Sequence, residues 1–438
     1  MFSPLYTAEE MRAAEQGHDV EAMMERAGSA VADAVLRRYP DARRIAAVCG
    51  KGANGGDGRI ALRVLAEAGR ETGEEVDGAD VVIDALFGTG FHGAPRDDAA
   101  ERIEQINGAG VPVVAVDLPS GVDASTGEVA GAVVDADVTV TMHGPKVGLA
   151  VAPGCFHAGE VEIAAIGLEA AETQHRLATE QILQLVPRKQ PQDTKYSAGA
   201  VLVVGGGPGL TGAVCLAAEA AFRADAGYVA VATPAASLPV VEARLLEAVK
   251  VPLQRVDELA ERATALAIGP GLGRGGEERA LVRRLLAELA VPAVVDADAL
   301  FELEPADWPA PRVLTPHSGE LGRLIGEDSR WVDAHRLEAV RRTADAYRCV
   351  VLLKGADTLV AAPGTGVLVS TSGTPALATA GAGDVLTGIV AAFLAKGMEA
   401  RLATTAAAFA HGRAAELVPH ERGVVASDVI AALPNVLG

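Results

Sequence analysis

Twice in this chain a short apolar run passes straight into a glycine-rich turn and then into a helical pattern. Residues 45–49 lead into Gly50-Lys51-Gly52-Ala53-Asn54-Gly55-Gly56-Asp57-Gly58 and a helix expected over 59–68. Ala200–Val204 leads into a second glycine-rich turn over 205–213 and a helix expected over 214–226. An apolar run without alternation reads as a strand buried on both faces, as in a parallel sheet. A glycine turn between such a strand and a helix opens a nucleotide-binding βαβ unit. Two such openings predict an α/β protein of two domains, and 438 residues is a fitting length.

The rest of the chain keeps the pattern. Buried strands are expected at 81–86, 111–116, 138–142 and 161–166 in the first half. In the second half they are expected at 228–233, 265–268, 293–296, 313–315 and 350–354, with a hairpin around Pro363-Gly364. Thr7 and Glu10 have capping-box spacing, and a single helical stretch is expected through 11–36. The polar stretch 186–195 carries two prolines and no apolar period, so it reads as a linker. The domains are therefore expected at 1–186 and 196–438, joined by 187–195.

Composition narrows the function. Hydrophobic residues make up 50% of the chain and aromatics 3%, so small aliphatic side chains must do the packing. A net charge of −20 gives no global attraction to nucleic acid or an anionic membrane surface. Cys49, Cys155, Cys215 and Cys349 form no C-x-x-C pair, so buried thiols are expected rather than zinc or a disulfide framework. The first ten residues lack a basic flank and an apolar core, which argues against a signal peptide. A soluble cytoplasmic protein is expected, with no nucleic acid or membrane partner and as a homo-oligomer.

The chemistry is concentrated at strand ends, where open parallel sheets bind ligands. In the second half these ends carry G-P-G-L-G at 269–273, Asp296-Ala297-Asp298, T-P-H-S-G-E at 315–320, K-G-A-D-T at 354–358 and G-A-G-D at 381–384. Gly381 and Gly383 permit a tight turn, and the helix that follows offers unpaired N–H groups and a positive dipole end to an anion. Asp384 beside that turn can take a proton from a hydroxyl that is being phosphorylated. A solvated aspartate at a helix start is the alternative for the turn taken alone.

These strings resemble the ribokinase-like fold and, within it, the ADP-dependent NAD(P)H-hydrate dehydratases. The resemblance covers most of 198–433. T-P-H-x-G-E together with K-G-A-D-T is specific for that family, whereas G-A-G-D is shared with many small-molecule kinases. The first half resembles NAD(P)H-hydrate epimerase domains through N-G-G-D-G, D-A-L-F-G-T-G and V-D-L-P-S-G-V-D-A-S-T-G. A Rossmann-like three-layer αβα domain followed by a ribokinase-like αβα domain is thus expected, in the arrangement of bifunctional NAD(P)H-hydrate repair enzymes.

The resemblance implies ADP as co-substrate, hydrated NADH and NADPH (NADHX and NADPHX) as substrates, and magnesium in the dehydratase domain. ADP would contact Lys354, Gly355, Ala356, Asp357, Thr358, Thr374, Ala380, Gly381, Ala382 and Gly383. The hydrate would contact Ala213, Gly271, Gly273, His317 and Asp384, the last as catalytic base. In the epimerase domain the substrate would contact Ala53, Asn54, Gly55, Gly56, Asp57, Gly88, Thr89, Gly90, Phe91, His92, Gly93, Ala94 and Asp117. Asn54, Asp84 and Ser120 sit at or next to strand ends, and their oxygens suit one hard monovalent cation, which in the family is potassium. Asp117 follows a buried strand and is the expected acid/base, a turn-forming aspartate before Leu118-Pro119-Ser120 being the alternative.

Two departures stand out. Ala53 replaces the first asparagine of the usual N-N-G-G-D-G loop. Residues 70–79 form only a short acidic connector where the family has a further strand and helix. A narrower sheet, a more open pocket and a slow epimerase are expected from this. Two other readings remain at this level: a kinase for a vitamin precursor, and a dehydratase or nucleotide sensor whose first domain is not catalytic.

Overall fold

The computed structural model describes residues 1–438. The chain forms two compact units, Pro4–Arg176 with Asp333–Leu337, and Met1–Ser3 with Leu177–Val332 and Glu338–Gly438. The change of unit falls at Leu177, before the expected linker. The reason is apolar: Ala178 and Ile182 are buried in the second unit's core, with Leu183, Leu185 and Val186 packed against it.

The first unit holds a six-stranded parallel sheet. Its spatial order is Glu71–Gly73, Arg44–Cys49, Val81–Ala85, Val113–Val116, Val138–Met142 and Glu160–Ala164. Side chains alternate between two cores, as strand geometry requires. Ile45, Ala47, Val81 and Ile83 join Val31, Val35, Ala61 and Leu65 of the helices Val20–Arg38 and Ala53–Glu67. Ala46, Val48 and Val82 join Ile103 and Ile106 of the helix Asp97–Gly108. Both faces are covered, which makes three layers.

In three places this unit differs from the sequence expectation. The long N-terminal helix is two, Ala8–Glu15 and Val20–Arg38, because Gly17 turns with φ +83°. The helix after the first strand begins at Ala53, so it absorbs most of the glycine loop. The acidic connector is not bare chain: Glu71–Gly73 adds a parallel edge strand to Arg44–Cys49, so the sheet keeps a strand there. Its acids have a local purpose. Asp80 accepts from the Arg43 and Arg44 N–H groups at 2.7 and 2.9 Å, and Glu75 reaches the Arg44 guanidinium at 3.3 Å.

In the second unit seven parallel strands run in the order Val350–Leu353, Arg312–Leu314, Ala293–Val295, Ala265–Ile268, Ala200–Val204, Tyr228–Thr233 and Val249–Pro252. The hairpin forms as expected, Thr358–Ala361 pairing antiparallel with Val350–Leu353 and with Leu368–Ser370. One face packs on the helices Thr211–Arg223, Ala382–Ala395, Ala400–Glu416 and Ala426–Leu437. Alanine and glycine do this packing because the helices lie close. A Cβ on Gly388 would sit 2.1 Å from the Ala217 carbonyl oxygen.

Candidate active sites

In the first unit the strand ends open onto a cavity of about 880 Å³. Ala53, Asn54, Asp57, Gly88, Thr89, Gly90, Phe91, His92, Ala94 and Asp117, all among the residues expected to contact substrate, line it. Gly55, Gly56 and Gly93 do not. The early helix start explains the first two. Gly52 is the N-cap, and the Gly56 N–H already bonds the Gly52 carbonyl at 3.2 Å, so the helix's unpaired N–H groups end at Gly55. These glycines serve close packing: a Cβ on Gly55 would lie 2.0 Å from the Gly50 oxygen, and one on Gly56 would lie 2.1 Å from the Met24 methyl. His92 is exposed and bonds Asp123 through Nδ1 at 2.7 Å.

Asp84, Ser120 and Asn54 gather beneath this cavity. Asp84 is fully buried and accepts from the Ser120 hydroxyl and N–H, both at 2.7 Å, and from the Leu86 N–H at 3.2 Å. The Ser120 oxygen accepts from Phe87 N–H, and the Asn54 amide nitrogen donates to the Phe87 and Val116 carbonyls at 2.7 Å each. Burial pushes the Asp84 carboxyl up to about 6 against the pull of those hydrogen bonds. No basic side chain pairs with it.

Asp117 stands at the end of Val113–Val116 with φ +67°, a left-handed conformation rare for a residue other than glycine. Its Oδ1 accepts from Thr141, from Met142 N–H and from the ammonium of Lys146. Lys146 is fully buried and also donates to Thr141 Oγ1 at 3.1 Å and Met142 O at 2.7 Å. Sequence reasoning missed Lys146. A signal existed: it is a lysine four residues beyond a buried strand in a very acidic chain, the same setting that drew attention to Lys354. Glu15 was missed too; it lines the cavity from Ala8–Glu15, and burial with the Asp117 charge raises its pKa.

In the second unit Lys354, Asp296 and the glycine turn converge. Lys354 Nζ lies 2.6 Å from Asp296 Oδ1, and the Thr387 hydroxyl donates to Asp296 Oδ2 at 2.6 Å. A Cβ on Gly383 would sit 3.3 Å from Lys354 Nζ, so glycine there lets the helix start approach the ammonium. Gly381 caps Ala382–Ala395 with φ +89°, and a Cβ on it would strike Leu216 at 2.5 Å. Asp384 lies in that helix's first turn. Burial and the charges of Asp296 and Asp298 push its carboxyl up to about 6, with Lys354 opposing them. Asp296, 1% exposed and central to this network, was singled out in the sequence only as part of a strand-end cluster.

The other expected residues have more local partners. His317 caps the helix Ser318–Ile325, its Nδ1 accepting the Gly319 N–H at 3.0 Å, and the Pro316 carbonyl accepts from Lys354 N–H. The Gly271 carbonyl accepts the Gly207 N–H at 2.6 Å, and the Gly273 N–H donates to Asp298 Oδ2 at 3.0 Å, so this amide is already used. Ala213 is half-buried in the first turn of Thr211–Arg223. Thr374 caps a short turn through the Ala376 N–H. In the K-G-A-D-T loop Gly355 and Ala356 are exposed, Asp357 is buried, and Thr358 bonds back to the Gly355 carbonyl; Ala380 is exposed before the turn.

A parallel sheet with a glycine turn opening a helix, a half-buried carboxyl in that helix's first turn and a lysine beside it fits the ribokinase-like class for the second unit. Solved structures agree. The unit is similar to the ADP/ATP-dependent NAD(P)H-hydrate dehydratase of Bacillus subtilis co-crystallized with ATP/Mg2+, at 29% identity and a TM-score of 0.55, over 59% of this chain and 96% of that one. A ribokinase-like protein of Enterococcus faecalis shares the fold at 24% identity and a TM-score of 0.54, over 61% of this chain and 97% of its own. The profile of the NAD(P)H-hydrate dehydratase family matches 201–435, and that of the YjeF-related protein N-terminus matches 20–72 and 69–148. The bifunctional NAD(P)H-hydrate repair enzyme of Moorella thermoacetica is 38% identical over 95% of this chain and 92% of its own length. That of Escherichia coli is 32% identical over 95% and 89%. The chain belongs to the family of bifunctional NAD(P)H-hydrate repair enzymes. The two YjeF-related matches meet in the acidic connector, and the Moorella alignment of 486 residues is longer than this chain, so that relative carries segments absent here.

Proposed function

We propose that the second unit dehydrates the S epimer of NADHX and NADPHX with ADP, leaving AMP and phosphate, and that the first unit interconverts the R and S epimers. The observation that carries the dehydratase is Asp384, a half-buried carboxyl at the first turn of Ala382–Ala395 with Lys354 beside the Gly381–Gly383 turn. Asp384 takes the proton of the ring hydroxyl as that oxygen attacks the terminal phosphate of ADP. The helix start and Lys354 hold the transferred phosphate. Phosphate then leaves far more readily than hydroxide, and loss of a ring proton restores the double bond. Lys354 to Thr358, Thr374 and Ala380 to Gly383 would hold the nucleotide, and Ala213, Gly271, Gly273 and His317 the hydrate.

Magnesium fits as an ion carried by the nucleotide phosphates rather than one caged by protein. Asp296 is bonded by Lys354 and Thr387, and Asp298 by Gly273 N–H and Arg274. Potassium fits the first unit, because the buried Asp84 carboxylate lacks a basic partner, the Ser120 hydroxyl lies 2.7 Å from it, and Asn54 is tied to the same turn through the Phe87 carbonyl. Epimerisation is therefore expected to fall when potassium is replaced by a bulky organic cation. Equal rates in the two buffers would make these three residues purely structural. The cytoplasm suits four free cysteines. Self-association suits the apolar residues left exposed near the edge strand Val249–Pro252, among them Leu246 at 81% exposure.

A mixture of epimers given to the full chain with ADP tests the whole reading. Fast conversion of the S half, followed by a slower second phase, is expected, since the first unit retains its catalytic strand ends but has a shortened connector. A plateau after the S half would make the first unit non-catalytic. No conversion here, together with phosphorylation of a vitamin precursor when that precursor and ATP are supplied instead, would favour the kinase reading.

A further inference from the structure

Asp57 lies in the helix Ala53–Glu67, is 7% exposed and lines the first unit's cavity, yet its Oδ1 is buried without a hydrogen-bond partner. A buried carboxylate in that state is unfavourable unless it is paired or carries a proton. Lys146, the buried cation that lines the same cavity, is already held by Asp117, Thr141 and Met142. Burial and the negative charges of Asp117 and Glu15 push the Asp57 carboxyl up to about 7. Lys51, Arg96, Asp98 and Arg102 also line the cavity, but none of them adds to that shift. Asp117 has the opposite setting, an ion pair and two further donors. The two carboxyls reach one cavity from different elements, a helix and a strand end. Two carboxyls in such contrasting environments divide acid and base roles between them.

We propose that Asp57 is the proton donor of epimerisation and that Asp117 is the acceptor, within the reading that this unit epimerises hydrated nicotinamides. Asp57 gives its proton to the ring hydroxyl as the carbon–oxygen bond breaks, and the neighbouring ring nitrogen supplies its lone pair to that carbon. Water and a ring iminium result. Water then adds to the other face, the iminium electron pair returns to nitrogen, and Asp117 takes the proton released. One proton leaves Asp57 and one arrives at Asp117, and exchange with solvent resets the pair. A neutral carboxylic acid and an amide are alike in size and charge, so Asp57→Asn should bind substrate normally.

The experiment uses the full chain without ADP, separates NADHX epimers by chromatography and measures NADHX binding by calorimetry. Asp57→Asn is expected to lower epimerisation by ~10²–10⁴-fold with affinity unchanged. For the wild type, the R-to-S rate should fall as pH rises through about 7, and heavy oxygen from solvent should enter the epimerised product. Wild-type turnover in the variant, a parallel loss of affinity, or epimerisation without oxygen exchange each overturns the proposal. The pH limb and the oxygen exchange need no variant, so they test it even if Asp57→Asn folds poorly. A wild-type protein with no epimerase activity would instead remove the underlying reading.

Discussion

Asp384→Asn is expected to abolish nearly all dehydration, by ~10²–10⁴-fold in rate, while ADP binding stays close to wild type. The two effects separate because different atoms carry them. In the mechanism we propose, the carboxylate takes the hydroxyl proton, whereas backbone N–H groups of the helix start and Lys354 hold phosphate. An amide of the same shape keeps the turn and cannot accept the proton. The pH profile gives a second readout. A base must be ionised, so the wild-type rate should rise as pH increases through about 6, where Asp384 is held by burial and by Asp296 and Asp298. A carboxyl in water would place that limb near 4. In Asp384→Asn the limb should vanish. Restored dihydronicotinamide absorbance measures the rate and calorimetry the ADP affinity; near wild-type turnover would remove Asp384 from the chemistry.

Asp117→Asn is expected to damage stability as well as epimerisation. Lys146 is fully buried, and the variant replaces the carboxylate paired with its ammonium by a neutral amide, leaving only neutral acceptors, among them the Thr141 hydroxyl and the Met142 carbonyl. Removing one partner of a buried pair costs about 3–5 kcal/mol. Asp117→Asn with Lys146→Met should regain most of that stability, because a well-packed apolar side chain replaces the stranded charge. Epimerisation should stay lost in both, since neither has the acceptor carboxylate. Thermal unfolding of the first unit measures the first effect, with dehydratase activity reporting separately on the second unit. A double variant no more stable than the single one would mean that Lys146 is not stranded by the loss of Asp117.

Much of the fold was legible because parallel strands announce themselves. Val81–Ala85, Val113–Val116 and Ala200–Val204 are wholly buried, and each is an apolar run with a polar or glycine turn at its end. The hairpin at Pro363-Gly364 was legible for a related reason, since turn chemistry sits between two short apolar runs. Element starts were less so. A stretch with four glycines in seven residues, 52–58, reads as a loop, yet Gly55, Gly56 and Gly58 are helical because a neighbouring backbone or side chain occupies the space of a Cβ. The same residues that weaken a helix in isolation permit close packing in the fold, and packing prevails. The acidic connector also read as bare chain, because an edge strand of three residues is defined by its pairing with Arg44–Cys49 rather than by its own composition.

The sequence by itself determined the two α/β units, the strand ends where chemistry gathers, and the roles implied for Asp384, Lys354 and Asp117. Those follow from local pattern: apolar runs, glycine spacing and motif strings. Only the tertiary structure decided which of these groups meet, which are already occupied and which carry a proton. Lys146 and Asp117 are 29 residues apart in sequence, and Asp296 and Lys354 are 58 apart. Asp57 differs from any other motif aspartate only in being buried with an oxygen that nothing bonds. Burial, pairing and the resulting proton affinity depend on groups that folding brings together from distant segments, so no local stretch of sequence can express them.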